Sequence, residues 1–256
     1  MRLARIAHPE GMAFVAIDGP EGSAQAREIA DHPFGNPSFT GRRWDVSDVR
    51  LLAPILPSKV VAIGRNYQQH AAELGNPVPT EPMVFLKPST SVIGPGAPIL
   101  LPAVSKRVDF EGELAVVIGK PCHKVRAEDA QGVILGYTCA NDVTARDLRA
   151  PNGPWTRGKG YDTFCPLGPW IETELDPSDI TVTTTVDGEV KQDGHVSEMI
   201  FTISELIEYA SAIMTLLPGD VLLTGTPEGV GPLTAGDTVT VAVSGVGELT
   251  NPVAAG

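Results

Sequence analysis

At 256 residues, with 42% apolar and 20% charged residues and no low-complexity tract, the chain exceeds one ordinary domain. It points to one large domain or a main domain with a small appendage, and not to long disorder. A formal net charge of -12 sets up a surface field that repels phosphate backbones and anionic lipid, which argues against nucleic-acid and membrane-surface partners. An anionic substrate then needs cations gathered locally, so Arg65, Lys87, Arg146, Arg149, Arg157 and Lys159 are the ones to follow, although scattered surface charge accounts for some of them.

In chain order, Leu3 to Ala7 and Met12 to Ile17, joined by the turn-rich His8-Pro9-Glu10-Gly11, read as a hairpin. From Gly19 to Asp48 glycine, proline and polar residues prevail and no element is predicted. Leu51 to Pro57 has the composition of a proline-stiffened connector. A small β-rich N-terminal domain is therefore expected over 1–57 and the main domain over 58–256. Val60 to Gly64 is an apolar run ending in glycine, as a buried strand does before a loop carrying polar groups. Further strands are expected at Met83 to Leu86, Glu113 to Ile118, Thr181 to Val186, Val221 to Thr224 and Thr238 to Val243. Ile203, Leu206, Ile207 and Ala210 mark one helical face, with Thr202 or Ser204 as cap. The class is α+β, dominated by strands.

Cys122, Cys139 and Cys165 are odd in number and lack metal-ligand spacing, which fits reduced thiols in a cytosol. The opening residues lack the apolar core of a signal peptide, and no run reaches the ~20 apolar residues of a membrane span, so a cytoplasmic protein is expected.

Glu111 and Glu113 precede an apolar continuation, Leu114 to Ile118, bounded by Gly119. Alternation along one strand puts both carboxylates on the same face, where a cation is the simplest compensation for their repulsion and desolvation. On spacing alone, pairing of one with Arg or Lys and solvation of the other serves equally well. Asp142 sits where a second apolar strand from Ile134 runs into a turn-forming cluster, a place that suits a metal ligand or an Asx turn or cap. All three are oxygen donors without a partnered His or Cys, which favours magnesium, manganese or calcium over zinc or copper. His70 and Glu73 fall three apart on a short helix, a spacing at which a carboxylate orients an imidazole, though a solvated helix face gives the same pattern. Thr224-Gly225-Thr226-Pro227-Glu228-Gly229 lacks the Gly-Lys-Ser/Thr of a nucleotide loop; its amides and the Thr226 hydroxyl suit a small anion or a plain turn.

Taken together, these segments resemble the fumarylacetoacetate hydrolase family over roughly Lys59 to Pro252. The resemblance rests on Gly64-Arg65-Asn66-Tyr67 with His70 and Glu73, Phe85-Leu86-Lys87-Pro88-Ser89, Glu111-x-Glu113, Asn141 to Asp147, Lys159-Gly160-Tyr161-Asp162 and Leu223 to Pro227. It implies a mixed β-roll of the fumarylacetoacetase C-terminal type and a homodimer. The metal ligands it implies are Glu111, Glu113 and Asp142, with His70 and Glu73 as catalytic dyad and Lys159 beside them. Arg65, Asn66, Arg149 and Thr226 would then bind substrate. Many members carry glutamine where this chain has Arg149; facing the pocket, the longer charged side chain would favour a more anionic substrate.

The activity implied is that of a divalent-metal-dependent enzyme on a small anionic 2-oxo acid or its enol, with magnesium or manganese as cofactor and calcium as an ion a crystal could hold. The reaction is acylpyruvate-type C–C hydrolysis or 2-hydroxyhepta-2,4-diene-1,7-dioate isomerisation. Oxaloacetate decarboxylation is an alternative, and a non-catalytic metal-dependent 2-oxo acid binding protein is one from another class. Arg65 to about Pro79, which joins the dyad to Gly75-Asn76-Pro77-Val78-Pro79, is expected to form a lid.

Overall fold

A computed structural model describes residues 1–20, 22–73, 77–150 and 154–256, with backbone alone for Ala71 and Ala72. Its centre is a long apolar strand. Gly112–Ile118 is buried at every position, and alternation sends Leu114, Val116 and Ile118 into one core and Ala115 and Val117 into another. The first core packs against the helix Ile203–Ile213 through Leu206, Ile207 and Ala210, and against Val182, Val241 and Leu249 of a second sheet. Thr202 caps that helix in a reciprocal box with Glu205, so the cap falls on Thr202 and not on Ser204.

The large sheet has twelve strands. Gly112–Ile118 pairs antiparallel with Ile134–Asn141 on one side and Val221–Leu223 on the other, and the latter runs parallel to Val60–Gly64. Beyond Ile134–Asn141 comes Cys165–Glu172, to which Arg2–His8 of the N-terminal domain is added. The N-terminal domain therefore extends the central sheet by main-chain pairing. A five-stranded sheet, with Thr181–Val186 and Thr238–Val243 at its middle, and a three-stranded sheet around Val108–Phe110 complete the mixed β-roll.

Two expectations need correction. Residues 19–48 are not free of structure: Gln25–Ile29 and Phe39–Asp45 are strands. Phe39–Asp45 is exposed at nearly every position, so no alternation betrays it. Its partners are lateral: Arg27 over the Phe39 ring at 4.1 Å, Arg42 over Trp44 at 5.0 Å, and Arg42 with Glu10 at 2.6 Å. The connector after it also begins with a short strand, Arg50–Leu52, paired to Arg2–His8.

The connector is fastened where it enters the main domain. Asp220, 1% exposed, accepts from Ser58 Oγ (2.6 Å), the Lys59 amide (3.2 Å) and the Leu217 amide (2.7 Å), and pairs with the Lys59 ammonium. Asp220→Ala strands these donors and is expected to destabilise the fold by about 3 kcal/mol in chemical denaturation; a loss below about 1 kcal/mol would show the fastening to be idle.

Candidate active site

The chain changes sheets at Glu111. Val108–Phe110 belongs to the three-stranded sheet and Gly112–Ile118 to the large one, so the two glutamates do not share one continuous strand as their spacing suggested. Glu111 is instead held at the crossing: its amide donates to Asn141 Oδ1 (2.9 Å) and its carbonyl accepts from the Asp142 amide (2.8 Å). That places Asp142 against the glutamates at the end of Ile134–Asn141. Carboxylate oxygens of Glu111, Glu113 and Asp142 lie within 4.8 Å of one another, all three buried.

Their surroundings are unequal. Lys159 Nζ lies 2.6 Å from Glu111 Oε2 and also pairs with Asp142. Arg146 joins Glu111 (2.6 Å) to Asp109 (2.8 Å), and Lys87 Nζ stands 2.6 Å from Asp142 Oδ1. Burial pushes the Glu111 carboxyl up, but Lys159 and Arg146 outweigh it and hold its pKa well below the usual carboxylate range. Burial likewise pulls the Lys159 ammonium down, and Asp142 with Glu111 more than restores it. Among the described residues Glu113 has no ion pair; the Gly225 amide donates to its Oε2 at 2.6 Å. Burial first, then the Asp142 charge, raises its pKa well above the ordinary value.

The dyad lies on the helix Gln68–Glu73. His70 is 4% exposed, with Nδ1 3.4 Å from Glu73 Oε2. Glu73 is held from the far side by the Gly229 amide, 3.2 and 3.3 Å from its two oxygens, so the loop after Thr226 braces the dyad. Of the expected lid, residues 74–76 lie outside the described residues.

The substrate-side residues divide. The Asn66 amide donates to the carbonyls of Thr224 (2.8 Å) and Phe201 (3.0 Å) and accepts from the Phe201 amide (2.9 Å), which commits it to bracing the loop. Gly225 follows with φ of 97°, and a Cβ there would stand 2.7 Å from the Asn66 Cβ. The Thr226 hydroxyl donates to the Gly112 carbonyl (2.8 Å) and accepts from Gln192 Nε2 (2.7 Å). Arg65 and Arg149 make no ion pair among the described residues, and Arg157 is exposed.

Sequence reasoning flagged Lys87 and Arg146 as cations without assigning them a site. Lys87 carries one signal, a lysine ending a strand immediately before Pro88; the structure buries it with Nζ donating to the Lys159 carbonyl at 2.6 Å. Gln192 was missed altogether. It bridges the Gly112 amide (2.9 Å) to Thr226 and Pro227, and nothing in its polar neighbourhood announces this.

A mixed β-roll presenting a buried carboxylate cluster beside an imidazole–carboxylate pair defines an enzyme of the fumarylacetoacetase type. Consistent with that, the sequence profile described as Fumarylacetoacetate (FAA) hydrolase C-terminal matches residues 59–254, and that described as Rv2993c-like, N-terminal, matches residues 1–54. The chain belongs to the fumarylacetoacetate hydrolase family. It is 58% identical to protein Rv2993c of Mycobacterium tuberculosis, over 99% of this chain and 98% of that one. Among solved structures it is similar to 5-carboxymethyl-2-hydroxymuconate delta-isomerase from Mycobacterium smegmatis (58% identity, TM-score 0.95, all of both chains). It is also similar to maleylpyruvate hydrolase from Sphingobium sp. SYK-6 in complex with manganese(II) ion and pyruvate (32% identity, TM-score 0.81, all of both chains). Among the described residues no helix is long and apolar enough to cross a membrane.

Burial lowers the His70 pKa against the opposing pull of Glu111 and Glu73. In proton–nitrogen correlation spectra His70 is therefore expected to titrate below the free-imidazole value of about 6.5, and Glu73→Gln should lower it further. The unfolded chain protonates first as pH falls through that value, so His70 makes stability decline on acidification and contributes no pH dependence above it. A midpoint above the free value would contradict the burial argument.

Proposed function

We propose that the protein is a divalent-metal-dependent enzyme that acts on a small 2-oxo acid or its enol, by acylpyruvate-type C–C hydrolysis or by isomerisation of a 2-hydroxy-diene diacid. The observation that carries the reading is Glu113: a buried carboxylate that makes no ion pair among the described residues, within 4.8 Å of two others. The donor set fits a hard cation, since all three ligands are buried carboxylate oxygens. Glu111, Glu113 and Asp142 would hold magnesium or manganese; the manganese complex of the Sphingobium relative supports that choice. When bound, the ion supplies Lewis acidity to the carboxylate and keto oxygens of a 2-oxo acid.

The protein's own groups account for the remaining steps. Lys159, kept cationic by Glu111 and Asp142, adds positive charge where the enolate oxygen develops. His70 carries its proton on Nδ1, facing Glu73, which leaves Nε2 as the base. In isomerisation Nε2 accepts a proton from the carbon skeleton and returns it elsewhere on the conjugated system. In hydrolysis it accepts a proton from water, the hydroxide adds to the distal carbonyl, the C–C bond breaks to release a carboxylic acid and the enolate, and the imidazolium returns its proton to the enolate carbon. The lowered pKa keeps this base unprotonated near neutrality. The presence of base, orienter and ammonium around the carboxylates favours an enzyme over a binding protein that has lost its chemistry. We read the active form as a homodimer, as family resemblance implies. The free, buried thiols of Cys122, Cys139 and Cys165 support a cytoplasmic setting.

The test is turnover of a panel of acylpyruvates, oxaloacetate and enol diacids with magnesium or manganese. Glu113→Ala is expected to abolish metal-dependent turnover and manganese binding, and retention of both would sink the ligand assignment. His70→Ala should lower turnover by about 100-fold or more while manganese affinity stays near that of the wild type; an unchanged rate would remove His70 from the mechanism.

A further inference from the structure

Gln192 lies on Glu189–His195, an edge strand of the five-stranded sheet, yet it is 1% exposed. Its neighbours Lys191 and Asp193 face solvent, as alternation requires, and Gln192 turns inward, paired in register with Thr184 of the adjoining strand. Its oxygen accepts from the Gly112 amide (2.9 Å), and its nitrogen donates to the Thr226 hydroxyl (2.7 Å) and the Pro227 carbonyl (2.9 Å). Gly112 offers a donor there and Pro227 an acceptor, so the amide fits in a single orientation with both its protons engaged. A buried amide and its partners add little net stability over hydrocarbon of the same shape. What three directed bonds add is position.

The positions concerned are those of the site. Gly112 stands between Glu111 and Glu113, and the second sheet presses directly on its main chain: a Cβ there would lie 2.0 Å from Thr184 Oγ1 and 3.3 Å from Gln192 Oε1. The Thr226 hydroxyl, accepting from Gln192, turns its one proton to the Gly112 carbonyl at 2.8 Å. Gly112 is therefore gripped at its amide by Gln192 and at its carbonyl by a hydroxyl whose direction Gln192 sets. The third bond fixes Pro227, in the middle of the loop whose Gly225 amide reaches Glu113 (2.6 Å) and whose Gly229 amide holds Glu73 (3.2 Å).

We infer that Gln192 is a positioning residue that sets the spacing of Glu111 and Glu113 and registers the Thr224 to Gly229 loop on them, so that the carboxylate cluster and the His70–Glu73 pair keep one separation. It acts through the main chain and through Thr226, from a sheet that carries none of the groups assigned to the chemistry. This rests on the metal-dependent enzyme reading above and adds the residue that couples its two halves.

The test compares the wild type, Gln192→Met and Val182→Ala, the last a core truncation in the same sheet away from the site. Manganese affinity is read from the electron paramagnetic resonance of the free ion, stability from chemical denaturation, and kcat and KM from whichever acid of the panel is turned over. Gln192→Met is expected to weaken manganese binding about tenfold and to lower kcat at least about tenfold, as misplaced supporting groups do, while KM at saturating manganese stays within about threefold. Val182→Ala should lose stability and leave affinity and kcat near those of the wild type. Should Gln192→Met not fold, Gln192→Glu, which keeps the shape and the acceptor for Gly112 but not the two donors, takes its place with the same expected losses. A Gln192 variant that loses only stability, as Val182→Ala does, or whose loss is confined to KM, overturns the assignment. Failure of the wild type to bind manganese overturns the parent reading, and this one with it; binding without turnover leaves the affinity to decide.

Discussion

The rest of the site depends on one electrostatic constraint: Asp109, Glu111, Glu113 and Asp142 are all buried, against the cations of Lys87, Arg146 and Lys159. Each charge removed from water carries a penalty of several kcal/mol unless it is paired. The pairing is therefore dense, with Arg146 shared between Asp109 and Glu111 and Lys159 shared between Glu111 and Asp142. The arrangement leaves the deficit in one place. Glu113 has a backbone amide and no cation within pairing distance among the described residues, so the imbalance falls where the three carboxylates converge. A protein seeking only stability would have matched it or replaced it with a hydrocarbon side chain.

The fold serves that arrangement by delivering the charges from separate elements. The crossing of the chain between two sheets at Glu111 brings it to Asp142, and Val221–Leu223 ends beside Gly112–Ile118 so that the Gly225 amide reaches Glu113. Asn66 ties this second loop to the segment carrying the dyad, and Gln192 ties it to Gly112. Through Gly229 the same loop also holds Glu73. The Thr224 to Gly229 stretch thus connects the metal-ligand candidate that lacks a cation with the carboxylate that orients the base, and neither can shift far without disturbing the other.

The chemistry of the site was more legible in the sequence than its geometry. Apolar residues from Leu114 to Ile118 announce a buried strand, and buried strands carry few carboxylates without reason, so Glu111 and Glu113 stand out locally. The break at Glu111 does not, because a change of sheet is decided by the partners of Val108–Phe110, Thr144–Ala145 and Gly231–Leu233, distant in sequence. Gln192 is hidden for the same reason: its partners Gly112 and Thr226 lie 80 and 34 residues away. The strand Phe39–Asp45 was hidden by its exposure, since stabilisation by cation–π and ion-pair contacts along an edge leaves no hydrophobic period. Local pattern reports burial, and these features are made by pairing at long range.

The charge distribution also explains why a protein of net charge -12 can serve anions. Lys87, Arg146 and Lys159 answer the charges of Asp109, Glu111 and Asp142, while Arg149 and Arg65 make no ion pair among the described residues. The surrounding negative surface, by repelling bulk anions, leaves selection to the residues inside.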